Sequence, residues 1–105
     1  MLTIERAREL LAGTTTEEHL FLHAKNVSAA MGGMAEFFGE DKNLWEAIGY
    51  LHDYDYEQYP DEHLQHTEEP LKEAGVADDE IRVILAHGFG HCNDVEPLSN
   101  AEKSL

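Results

Sequence analysis

The feature that most constrains this chain is an apolar stripe between Glu17 and Phe38. Leu20, Ala24, Val27, Met31, Met34 and Phe38 recur at spacings of three and four, the repeat of one helix face rather than the alternation of a strand. This segment predicts the longest helix of the fold. The Gly32-Gly33 pair inside it marks a kink or a close packing contact, because glycine costs helix stability. A helix buried along one face needs further helices to cover it, and the sequence supplies them. Thr3 to Ala12 carries Ile4, Ala7, Leu10 and Leu11 on one side and stops at Gly13. Thr14 to Thr16 offer N-caps for the long helix, with Glu17 and Glu18 as first-turn acids. Gly39 closes that helix and Asp41 caps the next, Lys42 to His52, whose Leu44, Trp45, Ile48 and Leu51 face inward. A helix over His66 to Ala74 is interrupted by Pro70 and ended by Gly75. Asp78 and Asp79 open another that ends near His87, with Ile81, Ile84 and Leu85 buried. Ser99 to Glu102 reads as a capping box that announces a last helix. No segment reads as a strand. The expectation is an all-α bundle of about five to six helices in a single domain, 1–105, since 105 residues leave room for one modest core.

Charge narrows the possible partners. There are 22 acidic and 7 basic residues, a formal charge of −15. Nothing here forms the basic stripe that binding to a nucleic-acid backbone requires, and the same balance opposes anionic membranes. No run approaches the roughly 18 apolar residues of a membrane span, and MLTIERAREL lacks the layout of a signal peptide. The single cysteine, Cys92, excludes an intramolecular disulfide. The expected location is therefore cytoplasmic. With 42% apolar residues the chain has the composition of a globular protein, not of an acidic tail.

Seven histidines stand out: His19, His23, His52, His63, His66, His87 and His91. His52 and Asp53 are adjacent where a helix gives way to a loop, so an imidazole and a carboxylate can turn toward one point. That pair of donors suits a first-row transition metal. It also suits a helix C-terminus closed by an imidazole and followed by a turn aspartate, the commoner setting for an isolated His-Asp pair. His23 lies at the edge of the long helix's buried stripe, either as a satisfied core residue or as a ligand. A short connection makes its helix and that of His52 antiparallel neighbours. Tyrosines crowd Tyr54 to Pro60, as cover for the core or as groups near a ligand. His63 and His66 follow in a polar stretch, and His87 and His91 flank a glycine-bearing turn. No HExxH, P-loop, GxSxG or cysteine pair competes with this set.

The order of His23, then His52-Asp53, then further histidines resembles the HD-domain superfamily of metal-dependent phosphohydrolases. The most telling pieces are GEDKNLWEAIGYLHDYDYEQYPDEH and EIRVILAHGFGH. The likeness spans nearly the whole chain and is to small bacterial HD proteins of roughly twice this length. It implies an HD-like helical bundle in which His23, His52 and Asp53 bind a first divalent ion (Fe, Mn, Ni, Zn or Mg). His66 and His87, with His91 as a further candidate, would help hold a second. His52 and Asp53 would be the catalytic centre.

One departure from the family pattern H…HD…D concerns its last aspartate. Asp94 is the only later aspartate and the one candidate substitute within the chain, and it sits in a turn before Pro97. The helix that should carry the missing group has only Asn100 to Leu105, too short to be stable alone. The expectation is a bundle incomplete at its C-terminus, with that aspartate beyond Leu105 or supplied by a partner. Uncovered core surface would then favour a homodimer.

The resemblance implies hydrolysis of a phosphate ester or anhydride, on a small molecule or nucleotide, by metal-activated water. Because the chain is so acidic, positive charge for the phosphate would come largely from metal, with Lys25 and Lys72 the nearest cations in sequence. Two alternatives belong to other classes. A truncated or degenerate HD module would act through protein contacts and bind no metal. A di-iron oxygenase on the same scaffold would show oxygen-dependent substrate loss and an iron spectrum.

Overall fold

The computed structural model describes residues 2–90 and 92–105. Among them are six α-helices: α1 (Ile4–Ala12), α2 (Glu18–Phe38), α3 (Lys42–Tyr50), α4 (Glu68–Glu73), α5 (Asp78–Ala86) and α6 (Asn100–Ser104). A short 3-10 turn spans Pro60–Glu62. No strand forms among the described residues, where Phe89 and Asn93 make an isolated bridge. The described residues form an all-α bundle, as the sequence implies.

The frame is the pair α2 and α3. Gly39, at φ 68°, ends α2 in the left-handed conformation that glycine adopts without steric cost. Asp41 then caps α3 by accepting from the Leu44 backbone N–H at 3.1 Å. The helices run antiparallel, since Phe38 lies near Trp45, Ser28 donates to the Glu46 carbonyl at 2.8 Å, and His23 meets His52. Their approach is close at Gly49. A Cβ there would stand 2.9 Å from Met31 Cγ and 3.0 Å from the Val27 carbonyl oxygen.

This close seam changes which side of α2 is buried. Ala24, Ser28, Met31, Gly32 and Ala35 are covered, whereas Met34 and Phe38, expected inside, are 37% and 39% exposed. Small residues win the seam because they let α3's backbone approach, and the bulkier apolar groups are turned outward. Gly32 marks a close contact, facing the Glu46 side chain, within an unbroken helix. The core continues through Ala7 and Leu11 of α1, Trp45, Ile48 and Leu51, Leu71 of α4, and Ile81 and Ile84 of α5.

Several boundaries shift for local reasons. The threonines before α2 do not cap it. Thr14 donates its hydroxyl to the Tyr54 carbonyl at 2.8 Å. Glu57 instead accepts from the Thr16 and Glu17 backbone N–H groups at 2.8 Å each. That carboxylate ties the loop after Asp53 to the start of the helix that carries His23. Helix α4 starts at Glu68, two residues later than expected, which places Pro70 in the first turn where an N–H has no intrahelical acceptor. The capping box of α6 forms as the sequence implies. Ser99 Oγ accepts from the Glu102 N–H at 3.1 Å, and Glu102 Oε1 accepts from Ser99 and Leu98. The other Glu102 oxygen meets Arg82 Nε of α5 at 3.0 Å.

Candidate metal centre

Helix α3 ends at Tyr50, and the chain continues through successive i to i−3 turns: Leu51 N–H to Ile48, His52 to Gly49, Tyr54 to Leu51. His52 is buried in this turn. Its Nδ1–H donates to the Gly49 carbonyl at 2.7 Å, so Nε2 carries a free lone pair. Nε2 lies 3.1 Å from Asp53 Oδ2, and His23 reaches in from α2 to stand 3.0 Å from His52 Nε2 and 3.4 Å from the same carboxylate oxygen. Neighbouring residues 52 and 53 therefore do converge, as expected where a helix gives way to a turn.

The other oxygen of Asp53 faces a second pair. His63 Nε2 is 3.1 Å from Asp53 Oδ1, His87 Nε2 is 3.8 Å from it, and the two imidazole nitrogens are 3.2 Å apart. His87 follows α5 as His52 follows α3, and its Nδ1–H donates to the carbonyl of Ile84, three residues earlier. His63 Nδ1 lies 2.7 Å from Asp55 Oδ1. Three imidazoles thus have Nδ1 tied down and Nε2 aimed inward, at one shared carboxylate.

Charge follows from this geometry. Burial opposes the charge of Asp53, but the adjoining imidazoles of His52 and His63 outweigh it and hold the carboxyl well below the usual range. Burial also works against the His63 cation, yet Asp53 and Asp55 on its two nitrogens raise its pKa to about 9. Burial lowers that of His87 to about 4, outweighing its bond to the Ile84 carbonyl. Two inward lone pairs 3.2 Å apart repel unless a cation lies between them. In the metal-free protein a proton on His63 fills that role while His87 stays neutral.

Two groups of donors could hold a metal: His23, His52 and Asp53, and Asp53, His63 and His87. Ligands at about 2.1 Å from one ion and 90–110° apart stand about 3.0–3.4 Å from one another. The edges of the first triangle are 3.0, 3.1 and 3.4 Å. Those of the second are 3.1, 3.2 and 3.8 Å, the long edge from His87 to Asp53 lying outside that range. The donor chemistry, imidazole nitrogen with carboxylate oxygen, suits Fe, Mn, Ni or Zn.

His66 joins neither group. Its ring stacks on Tyr59 with centroids 3.6 Å apart, and its Nε2 is 2.7 Å from Glu62 Oε1 at the surface. Only its backbone N–H takes part, donating to Asp55 Oδ2 at 3.0 Å. Residues 63 and 66 part because Leu64 between them adopts φ 70°, which breaks any continuous helix. His63, which the sequence left without a role, stands in the second group instead. Asp94 is exposed and belongs to neither, and His91 lies outside the described residues. Lys72 is held on the surface near Glu68 and Asp78.

The match to known families agrees with this centre. Residues 20–103 match the family model of the HD domain. The chain belongs to the HD-domain family. No curated protein and no solved structure matched it. The HD domain points to the superfamily of metal-dependent phosphohydrolases, whose members bind divalent metals, and the His/Asp cluster of this chain could bind one. No helix among the described residues is long and apolar enough to cross a membrane.

Proposed function

We propose that this HD-domain protein is a metal-dependent phosphohydrolase acting on a phosphate ester or anhydride of a small molecule. The observation that carries the reading is Asp53, which presents Oδ2 to His23 and His52 and Oδ1 to His63 and His87. One carboxylate shared by two sets of inward nitrogens is the arrangement of a bridged two-ion centre. His23, His52 and Asp53 would hold one divalent ion; Asp53, His63 and His87 would hold the other. Such ions supply a water of lowered pKa and positive charge against phosphoryl oxygens.

The chain's own residues do the rest. His52 and His87, tied to backbone carbonyls, keep fixed tautomers and fixed directions. Asp53 stays ionised and cannot compete for a proton with the attacking water. His23 has 52% of its side chain exposed against 8% for His52, so substrate reaches the centre from the α2 side while α3 closes the other. At −15 the protein as a whole disfavours phosphate, so productive binding depends on the positive charge of the metal-bearing face.

The test is metal content by mass spectrometry on protein purified without chelator, beside His52→Ala/Asp53→Ala. One to two equivalents in the parent, lost in the variant, with metal-dependent release of phosphate from a panel of phosphomonoesters and nucleotides, is the expected result. A parent that stays empty after Mn, Fe or Zn is added refutes the reading.

A further inference from the structure

We propose that Asp55 is a positioning residue of this centre, holding His63 so that Nε2 faces the ion shared with Asp53 and His87. This rests on the two-ion reading above. The inward histidines solve the same problem in two ways. His52 and His87 each follow a helix, which offers the carbonyl three residues back as acceptor for Nδ1–H. His63 has no such carbonyl. It follows only a 3-10 turn, its own backbone is at φ −54°, ψ 133°, and Leu64 turns the chain at φ 70°. The acceptor comes instead from a side chain eight residues earlier.

Asp55 is built for that task. It is 1% exposed, and both its oxygens are used. Oδ1 accepts from His63 Nδ1 at 2.7 Å, and Oδ2 accepts from the His66 backbone N–H at 3.0 Å. With two fixed donors the carboxylate plane cannot rotate, so the imidazole plane cannot either. A carboxylate accepts but does not donate, which assigns the neutral ring its proton on Nδ1 and leaves Nε2 to coordinate. The partner here is charged, unlike the carbonyls beside His52 and His87, and makes His63 the more electron-rich ligand. Asp55 itself touches no other donor of the centre. Its effect passes through His63 alone.

The experiment is calorimetric titration with Zn²⁺ of the wild type, Asp55→Asn, His63→Ala and the double variant. Asp55→Asn should lose about 10–100-fold in affinity for one equivalent of zinc and leave the other unchanged. Asp55→Asn/His63→Ala should bind no more weakly than His63→Ala. Equal losses at both sites, or losses that add in the double variant, would make Asp55 a structural residue and overturn the proposal. Should the variant not fold, the zinc-loaded wild type decides by ¹⁵N imidazole shifts. His63 must show Nδ1 protonated and Nε2 metal-bound; the reverse refutes the assignment. A wild type that binds no zinc sinks the two-ion reading and this inference with it. Zinc bound with undiminished affinity by Asp55→Asn sinks this inference only.

Discussion

Gly33 and Gly49 both lie inside helices, and the same substitution should move stability in opposite directions at the two. At Gly33 an added Cβ meets nothing within 4 Å. Alanine there gains helix propensity, about 1 kcal/mol, with nothing to oppose it. For a domain of this size that corresponds to a rise in Tm of about 4 °C or more. At Gly49 the propensity gain is no larger, and the new Cβ falls 2.9 Å from Met31 Cγ, 3.0 Å from the Val27 carbonyl oxygen and 3.2 Å from Ser28 Cα. Met31 is itself 2% exposed and has no room to retreat, and two of the three contacts are backbone. Relief requires α3 to move off α2, an overpacking cost of about 1–3 kcal/mol. The net expectation is a loss of about 1 kcal/mol. The displacement also reaches the centre, because the Gly49 carbonyl anchors His52 and the α2–α3 spacing sets the 3.0 Å between His23 and His52. Urea unfolding of both variants, followed by circular dichroism with metal binding measured alongside, checks the pair. If Gly49→Ala proved as stable as Gly33→Ala and bound metal normally, the close-seam account of the α2–α3 frame would be wrong.

His63→Ala should lose one equivalent of bound metal, whereas His66→Ala, which removes a ring stacked on Tyr59 at the surface, should keep the full complement by mass spectrometry. Glu102→Gln should destabilise the fold by about 1.5–3 kcal/mol in denaturant titrations, because a buried, charge-assisted acceptor for Ser99, Leu98 and Arg82 is weakened. Burial opposes the Glu102 charge, but these donors prevail and hold its carboxyl below the ordinary 4.5. Its contribution is therefore complete above that pH and lost as pH falls through the folded-state value, so wild type should lose more stability on acidification than Glu102→Gln.

What could be read from the sequence was whatever is decided locally. Asp41, Gly39 and the Ser99–Glu102 box act within four residues of themselves, and each forms as its pattern implies. The meeting of His23 with His52 and Asp53 was legible for a related reason: a connection of three residues leaves α2 and α3 no arrangement but antiparallel. The buried side of α2 was less legible, because apolar content drew attention to Met34 and Phe38. The informative signal was the small residues Ser28, Gly32 and Ala35 at spacings of four and three, with Ser28 against Gly49 of the next helix and Gly32 against Glu46.

The choice between His63 and His66 lay beyond any local pattern. It turns on Leu64, a leucine in a conformation that sequence rules reserve for glycine or asparagine. Nothing in the neighbouring residues asks for it. Tertiary packing holds it there: Leu64 is 5% exposed, and its side chain lies where a Cβ on Gly88 would stand. Gly88 is next to His87. The residue that turns His63 inward is thus seated against the turn that carries His63's partner in the second donor group. Fully burying a leucine side chain is worth about 1.5–3 kcal/mol, against about 1–2 kcal/mol for the left-handed backbone. Packing has the larger share, and so the site's own geometry, rather than the run of residues around it, selects which histidine enters.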